Sequence, residues 1–235
     1  MLKGDMNLDV MEDGNGRRRI PIAEDHMFLL PEMVHHSPQR YPDTIGLVFE
    51  RIRKPEDVDH LKWFKPASSE VLYEENFHCS DINNALKPII GRFLASEGAE
   101  LLKSSPKADP PVSEKYAHSV QNVSAAIETA AACKSTGTLT ASKAIAGEFV
   151  VEFYSGSGTV SIDLSATDTF LLQKGGQSVV TITGCQDASV PASFALGTSE
   201  ASFLPITAAA TATFDQTDSA GGSAGCIMVV TCTMP

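Results

Sequence analysis

The chain has 235 residues, 43% of them hydrophobic, and a formal charge of −11. That length suits one or two domains with a real core, and the acidity argues against nucleic acid as the main partner and against anionic membranes. No stretch approaches the roughly 20 apolar residues of a membrane span, Met1-Leu2-Lys3-Gly4-Asp5 lacks the pattern of a secretory leader, and the scattered Cys79, Cys133, Cys185, Cys226 and Cys232 read as reduced thiols.

Residues 1–43 read as an extended anchoring arm. Asp13-Gly14-Asn15-Gly16 signals turns, Arg17-Arg18-Arg19 is a short basic knot, and Met27-Phe28-Leu29-Leu30 is an apolar plug among Pro21, Pro31, Pro38 and Pro42. Residues 44–105 are expected to form a small mixed α/β region. Within it Thr44–Ile52 favours a strand, and Pro55-Glu56-Asp57 suits a helix start, with acids at the positive end of the dipole. Trp63 and Phe64 are expected to anchor this piece. Residues 80–104 carry a helical apolar face over Ile89, Ile90, Phe93, Leu94, Leu101 and Leu102, capped by Ser80 or Asp81 and kinked or restarted at Pro88. Residues 106–112 form a Pro-rich linker.

Residues 113–134 read as one helix. Tyr116, Val120, Val123, Ile127 and Ala130 fall at 4, 3, 4, 3 spacing, a heptad seam that could serve as an oligomerisation stalk. Beyond residue 119 the composition changes: there is no arginine, the only lysines are Lys134, Lys143 and Lys174, and all six histidines lie upstream. Residues 135–235 then alternate with a period of two. Strands are expected near 137–145, 147–154, 158–164, 168–173, 177–183, 191–196, 203–214 and 225–233, with glycine-rich separators. The overall fold class is α+β: an extended N-terminal arm and small helical region, followed by an antiparallel β-sandwich or barrel of about 7–8 strands. The last strand, apolar on both faces from Cys226 to Cys232, is expected at the centre of a sheet or under a neighbouring subunit.

Chemistry-bearing groups are few. His26, His35-His36, His60 and His78-Cys79 lack the close paired spacing of a zinc site. No nucleophile elbow occurs, and Gly156-Ser157-Gly158 is explained by a hairpin turn. The glycines match neither a P-loop nor a dinucleotide fingerprint. Glu74-Glu75, Asp163 with Asp168, and Asp215 with Asp218 lack the spacing of an EF-hand. No catalytic residue, metal or cofactor is therefore expected. An enzyme would have to draw on His60, Glu74, Glu75, His78 and Cys79, which nothing in the spacing brings together.

These features imply a structural part of a larger assembly. The expectation is a virion protein, a capsid-associated decoration, cement or head-fibre protein of a tailed phage assembled in the host cytoplasm. Its arm (Arg17, Arg18, Arg19, Phe28, Leu29, Leu30, Trp63, Phe64) would bind a capsid or other virion protein, and the seam would make a homo-oligomer, a trimer ahead of a dimer. The alternative is a carbohydrate- or ligand-binding β-sandwich module presenting Tyr154, Phe170, Phe194 or Phe203.

Overall fold

The computed structural model describes residues 1–50, 53–106, 108–132, 140–145, 149–156, 158–164, 169–185, 188–198, 200–204, 210–217 and 225–232. The chain divides into two compact units, Met1–Val120 and Gln121–Pro235.

In the first unit, β1 (Met6–Glu12) and β2 (Gly16–Ile22) form a hairpin, and β4 (His36–Arg40) adds to the other edge of β1, all antiparallel. A two-residue strand, β3 (His26–Met27), lies between them in sequence. Residues 1–43 are thus not an extended arm. The alternation Met6, Leu8, Val10 on β1 and Ile20, Ile22 on β2 buries one face, and Tyr116 closes that small core. Asp9, on the same strand, is 2% exposed yet held by Arg17 and Arg19, so charges that mask the strand pattern in sequence are paired in three dimensions.

Two further expectations fail here. The strand expected over Thr44–Ile52 is not formed by its described residues, 44–50, which show only an isolated bridge from Ile45 to Lys3; residues 51 and 52 lie outside the described set. Pro55–Leu61 does not open a helix either. Asp57 takes the Lys54 amide in a turn and Asp59 takes the Arg53 guanidinium, so the acids that could serve a helix dipole are spent locally. The chain then runs extended as β5 (Asp59–Phe64), paired antiparallel with β6 (Val71–Phe77).

Two helices follow, α1 (Ile82–Leu94) and α2 (Glu97–Ser104). Asp81 caps α1 by accepting the Asn84 amide at 3.1 Å. Pro88 lies inside α1, and the break falls at residues 95–96 instead. Phe93 of α1 stacks on Trp63 at 4.0 Å, with Tyr73 edge-on to both rings. Arg92 grips Glu75 with two nitrogens and ties α1 to β6.

Residues 113–134 do not make one helix. Ser113 is buried, its hydroxyl donating to Glu12 and accepting the Tyr116 amide, and this pins a short turn ending at Ser119. After β7 (Gln121–Asn122), α3 (Val123–Ala132) starts at Asn122, whose Oδ1 accepts the Ala125 amide at 2.7 Å. Tyr116 and Val120 lie outside α3, so the heptad seam is interrupted. Val123 is buried, while the side chains of Ile127 and Ala130 lie outside the described residues.

After β7 and α3, the described residues of the second unit hold nine further strands: β8 (Thr140–Ile145), β9 (Phe149–Ser155), β10 (Gly158–Asp163), β11 (Thr169–Gly175), β12 (Gln177–Thr183), β13 (Ser193–Leu196), β14 (Ala201–Leu204), β15 (Thr211–Thr217) and β16 (Cys226–Cys232). They form a four-stranded sheet, β10-β15-β12-β13, and a five-stranded sheet, β14-β11-β16-β9-β8. Val180, Ile182, Ala212 and Phe214 from the first sheet meet Tyr154, Leu171, Ile227 and Val229 from the second in one core. The β-rich C-terminal half is therefore a β-sandwich. Strand β16, apolar on both faces, is central in its sheet. The single strand expected over 203–214 is two, β14 and β15, with residues 205–209 outside the described set.

Candidate functional site

The chemistry-bearing side chains concentrate in the first unit. Beyond β1 and β2, a cavity of about 250 Å³ opens beside the hairpin turn. Its polar lining includes Glu12, His35 and Lys115, and its apolar walls include Met11, Phe64 and Tyr116. Each is positioned by a local constraint. The Met11 amide donates to the His35 carbonyl at 2.9 Å, which holds the loop before β4 against β1. The Phe64 ring meets the His35 imidazole edge-on, centroids 6.0 Å apart. Glu12 is buried, accepting the Ser113 hydroxyl on Oε1. Tyr116 is anchored by its amide on Ser113 and by an edge contact with Phe28 at 5.8 Å. Lys115 Nζ lies over the Tyr116 ring, 5.0 Å from its centroid.

Electrostatics separate these groups. Burial, reinforced by the nearby charges of Lys62 and His60, holds the His35 imidazole below its ordinary value, so it is neutral at pH 7. Behind it, β5 and β6 bring His60 and Lys62 onto Glu74, at 3.3 and 3.1 Å. Hydrogen bonding from Lys62 is the main reason the Glu74 carboxyl sits below the usual range. The expectation that nothing brings His60 and Glu74 together therefore fails: strand pairing does so, at a sequence separation of 14 residues. Glu75 goes elsewhere, held by Arg92 and Tyr73 with its pKa lowered to about 2. His78 bonds the Asp57 carbonyl, and burial raises the Cys79 thiol.

The other residues singled out from sequence are structural here. Arg17 and Arg19 bind Asp9, Arg19 also reaches Asp109, and Arg18 donates to the Arg17 carbonyl. Phe28 and Leu30 pack on the β1–β2 core, Leu29 is half-buried, Trp63 is stacked on Phe93, and Phe64 walls the cavity. Of the aromatics considered for sugar stacking, Tyr154 is buried, Phe170 and Phe194 are half-buried, and the Phe203 side chain lies outside the described residues. Ser157, Asp168 and Asp218 also lie outside them. The sequence reading missed Glu12, Lys115 and the turn at Ser113, because their convergence spans about a hundred residues.

A model of the family described as 3-hydroxyanthranilic acid dioxygenase matches residues 1–94. The chain is 43% identical over 105 residues to a 3-hydroxyanthranilate 3,4-dioxygenase of Xenopus tropicalis, covering 45% of this chain and 37% of that protein. It is 46% identical over 114 residues to 3-hydroxyanthranilate 3,4-dioxygenase 2 of Aspergillus clavatus, covering 46% of this chain and 59% of that protein. The chain thus spans between about a third and three-fifths of the length of these relatives. Among solved structures, an oxalate decarboxylase aligns over 99% of this chain and 61% of its own, at 10% identity and a TM-score of 0.49.

These matches overturn the expectation of a virion structural protein. The N-terminal residues taken for a capsid-anchoring arm are the residues that match enzymes, and they fold as a sheet with its own core. With that reading go the capsid or virion partner, the placement in a virion, the ligand-binding module offered as its alternative, and the view that the chain is no enzyme. The homo-oligomer rested on a seam that no single helix carries.

Oxygenases that use non-haem iron hold it with two histidines and one carboxylate. All six histidines are described, yet among the described residues no three His, Cys, Asp or Glu side chains converge on a point. His60 and Glu74 form a pair, but the Lys62 ammonium sits on the same carboxylate oxygen. The described residues do not fit such a metal.

Proposed function

We propose that this chain works in a dioxygenase reaction on 3-hydroxyanthranilate, as its relatives are named for, with the first unit contributing. One observation carries the reading: the family match over residues 1–94 falls wholly inside the unit Met1–Val120. What supports it physically is the placement of the polar groups. The histidines of the chain all belong to that unit, and a cavity with aromatic walls and both signs of charge opens there. The second unit is a β-sandwich poor in titratable groups. Its buried Tyr154 and Cys226 are pushed up by burial, Cys226 to about 12, so neither ionises near neutral pH.

The test is dioxygen uptake by the purified chain supplied with 3-hydroxyanthranilate, followed with an oxygen electrode alongside loss of the substrate's absorbance. Uptake in step with substrate loss is the expected result. A folded chain that consumes neither would overturn the reading.

A further inference from the structure

The turn between β1 and β2 carries a covalent chemistry of its own. Of the six asparagines in the chain, Asn15 alone is followed by glycine; Asn7, Asn76, Asn83, Asn84 and Asn122 each precede a residue with a side chain. The difference matters because a backbone nitrogen can attack the side-chain carbonyl of the asparagine before it, and a Cβ on the attacking residue crowds that approach. The fold presents this pair to solvent. The Asn15 amide donates to the Glu12 carbonyl at 3.1 Å, and Gly14 takes φ +75°, as the third position of a type II turn requires. Gly16 follows at φ +71°, opposite Glu12 on the last rung of the hairpin. A Cβ at either glycine would meet no heavy atom within 4 Å beyond its chain neighbours, so there is room around the Asn15–Gly16 peptide for a ring to close. Asn15 is exposed, and its Nδ2 donates to Glu12 Oε2 over a long 3.4 Å, so little holds the carboxamide in place.

We propose that Asn15 is a self-modification site, which the folded turn converts to aspartate and isoaspartate with water as the only co-reactant. The Gly16 nitrogen gives its proton to solvent and bonds to Asn15 Cγ. The Cγ–Nδ2 bond breaks, the amide leaves as ammonia, and a five-membered succinimide closes. Water then opens the ring. Attack at Cγ yields aspartate; attack at the main-chain carbonyl yields isoaspartate, whose backbone runs through the side chain and is longer by a methylene. The net change is one water consumed and one ammonia released, so the step needs nothing from the dioxygenase reaction. Either product puts a carboxylate where a donor stood. It faces Glu12, which is 6% exposed and already accepts from Ser113 on its other oxygen. With Glu12 and Asp13 both lining the cavity beside the turn, the new charge is repelled there. Isoaspartate also displaces the rung that pairs Glu12 with Gly16. Modification thus loosens the end of the hairpin that walls the cavity.

The test is incubation of the full chain at mildly alkaline pH, where the Gly16 amide loses its proton more readily, followed by peptide mass spectrometry. The expected result is the mass gain of an amide-to-acid exchange on the peptide holding Asn15, ahead of the other five asparagines. The new carboxyl should carry heavy oxygen from labelled water, and part of the product should accept a methyl group from a protein isoaspartate methyltransferase. A parallel incubation in urea gives the rate of the same sequence without its turn. N15Q should lose the gain, since glutamine would have to close a larger ring. N15D carries the charge without the backbone change and should lower the urea midpoint read by Trp63 emission, while N15Q holds it. Asn15 is exposed, so both variants should keep the circular dichroism of the parent. A gain in the urea-unfolded chain with none in the folded one, or a gain that starts at another asparagine, would overturn the site. A midpoint in N15D equal to the parent's would overturn its effect on the hairpin.

Discussion

Asp9 is a buried carboxylate in the N-terminal sheet, paired across the β1–β2 hairpin. Its side chain is 2% exposed on β1, facing Arg17 and Arg19 on β2 at 2.6 and 2.9 Å. Burial alone would raise its pKa; the hydrogen bonds and charges of Arg19 and Arg17 more than offset this, and the net shift is downward. A carboxyl with a depressed folded pKa contributes stability above its unfolded value, and that contribution is lost as pH falls through the folded value. Asp9→Asn should therefore destabilise the first unit by about 2–3 kcal/mol at pH 7. The difference from the parent should shrink once the pH drops below the ordinary aspartate value near 3.8, as urea titrations across pH 2–7 would read out. A constant difference across that range would show that packing, not charge, accounts for the loss. Neither partner is legible in sequence: an isolated Asp9 and a run of three arginines suggest a solvated knot, and only the hairpin register, Asp9 opposite Arg19, pairs them.

Among the elements, the contact between α1 and the β5–β6 hairpin is built from rings. Phe93, 4% exposed, lies flat on Trp63 with planes 14° apart. Removing it leaves a cavity that neither Tyr73 nor Trp63 can fill without leaving its strand position. Phe93→Ala should cost about 3–4 kcal/mol, and emission from Trp63, the single tryptophan, should shift to the red as water reaches the indole. In the sandwich the critical element is the turn between β11 and β12. Gly176 has φ +70°, and a Cβ there would stand 2.1 Å from the Thr217 carbonyl oxygen. Gly176→Ala combines a strained backbone with a backbone clash and should destabilise by on the order of 3 kcal/mol in thermal unfolding. Elements with a clean period were readable in the sequence, such as the apolar β16 and the alternating β12. The β5 strand was not, because Pro55 and the acids after it are equally good turn and helix-start signals, and the choice is made by Arg53 and by the Trp63–Phe93 stack.

At the scale of the molecule, the two units have separate cores. Met6, Leu8, Val10, Ile20, Ile22 and Tyr116 make one, and residues from Tyr154 to Val229 make the other. The change of composition after residue 119 falls beside the boundary at Val120, since a sandwich core needs period-two apolar residues and little charge, while the first unit uses its charges in ion pairs. What composition could not convey is chemistry: the cavity draws Glu12, His35, Phe64 and Lys115 from four separate stretches, and no local spacing announces that convergence. Separate cores also imply separable unfolding. Trp63 reports the first unit alone, whereas circular dichroism follows both. Phe93→Ala should therefore move the fluorescence midpoint in urea and leave the dichroism component of the sandwich in place. Gly176→Ala should do the reverse. A single transition, moved equally by either substitution in both signals, would mean that the units unfold as one body and that damage to the sandwich reaches the cavity.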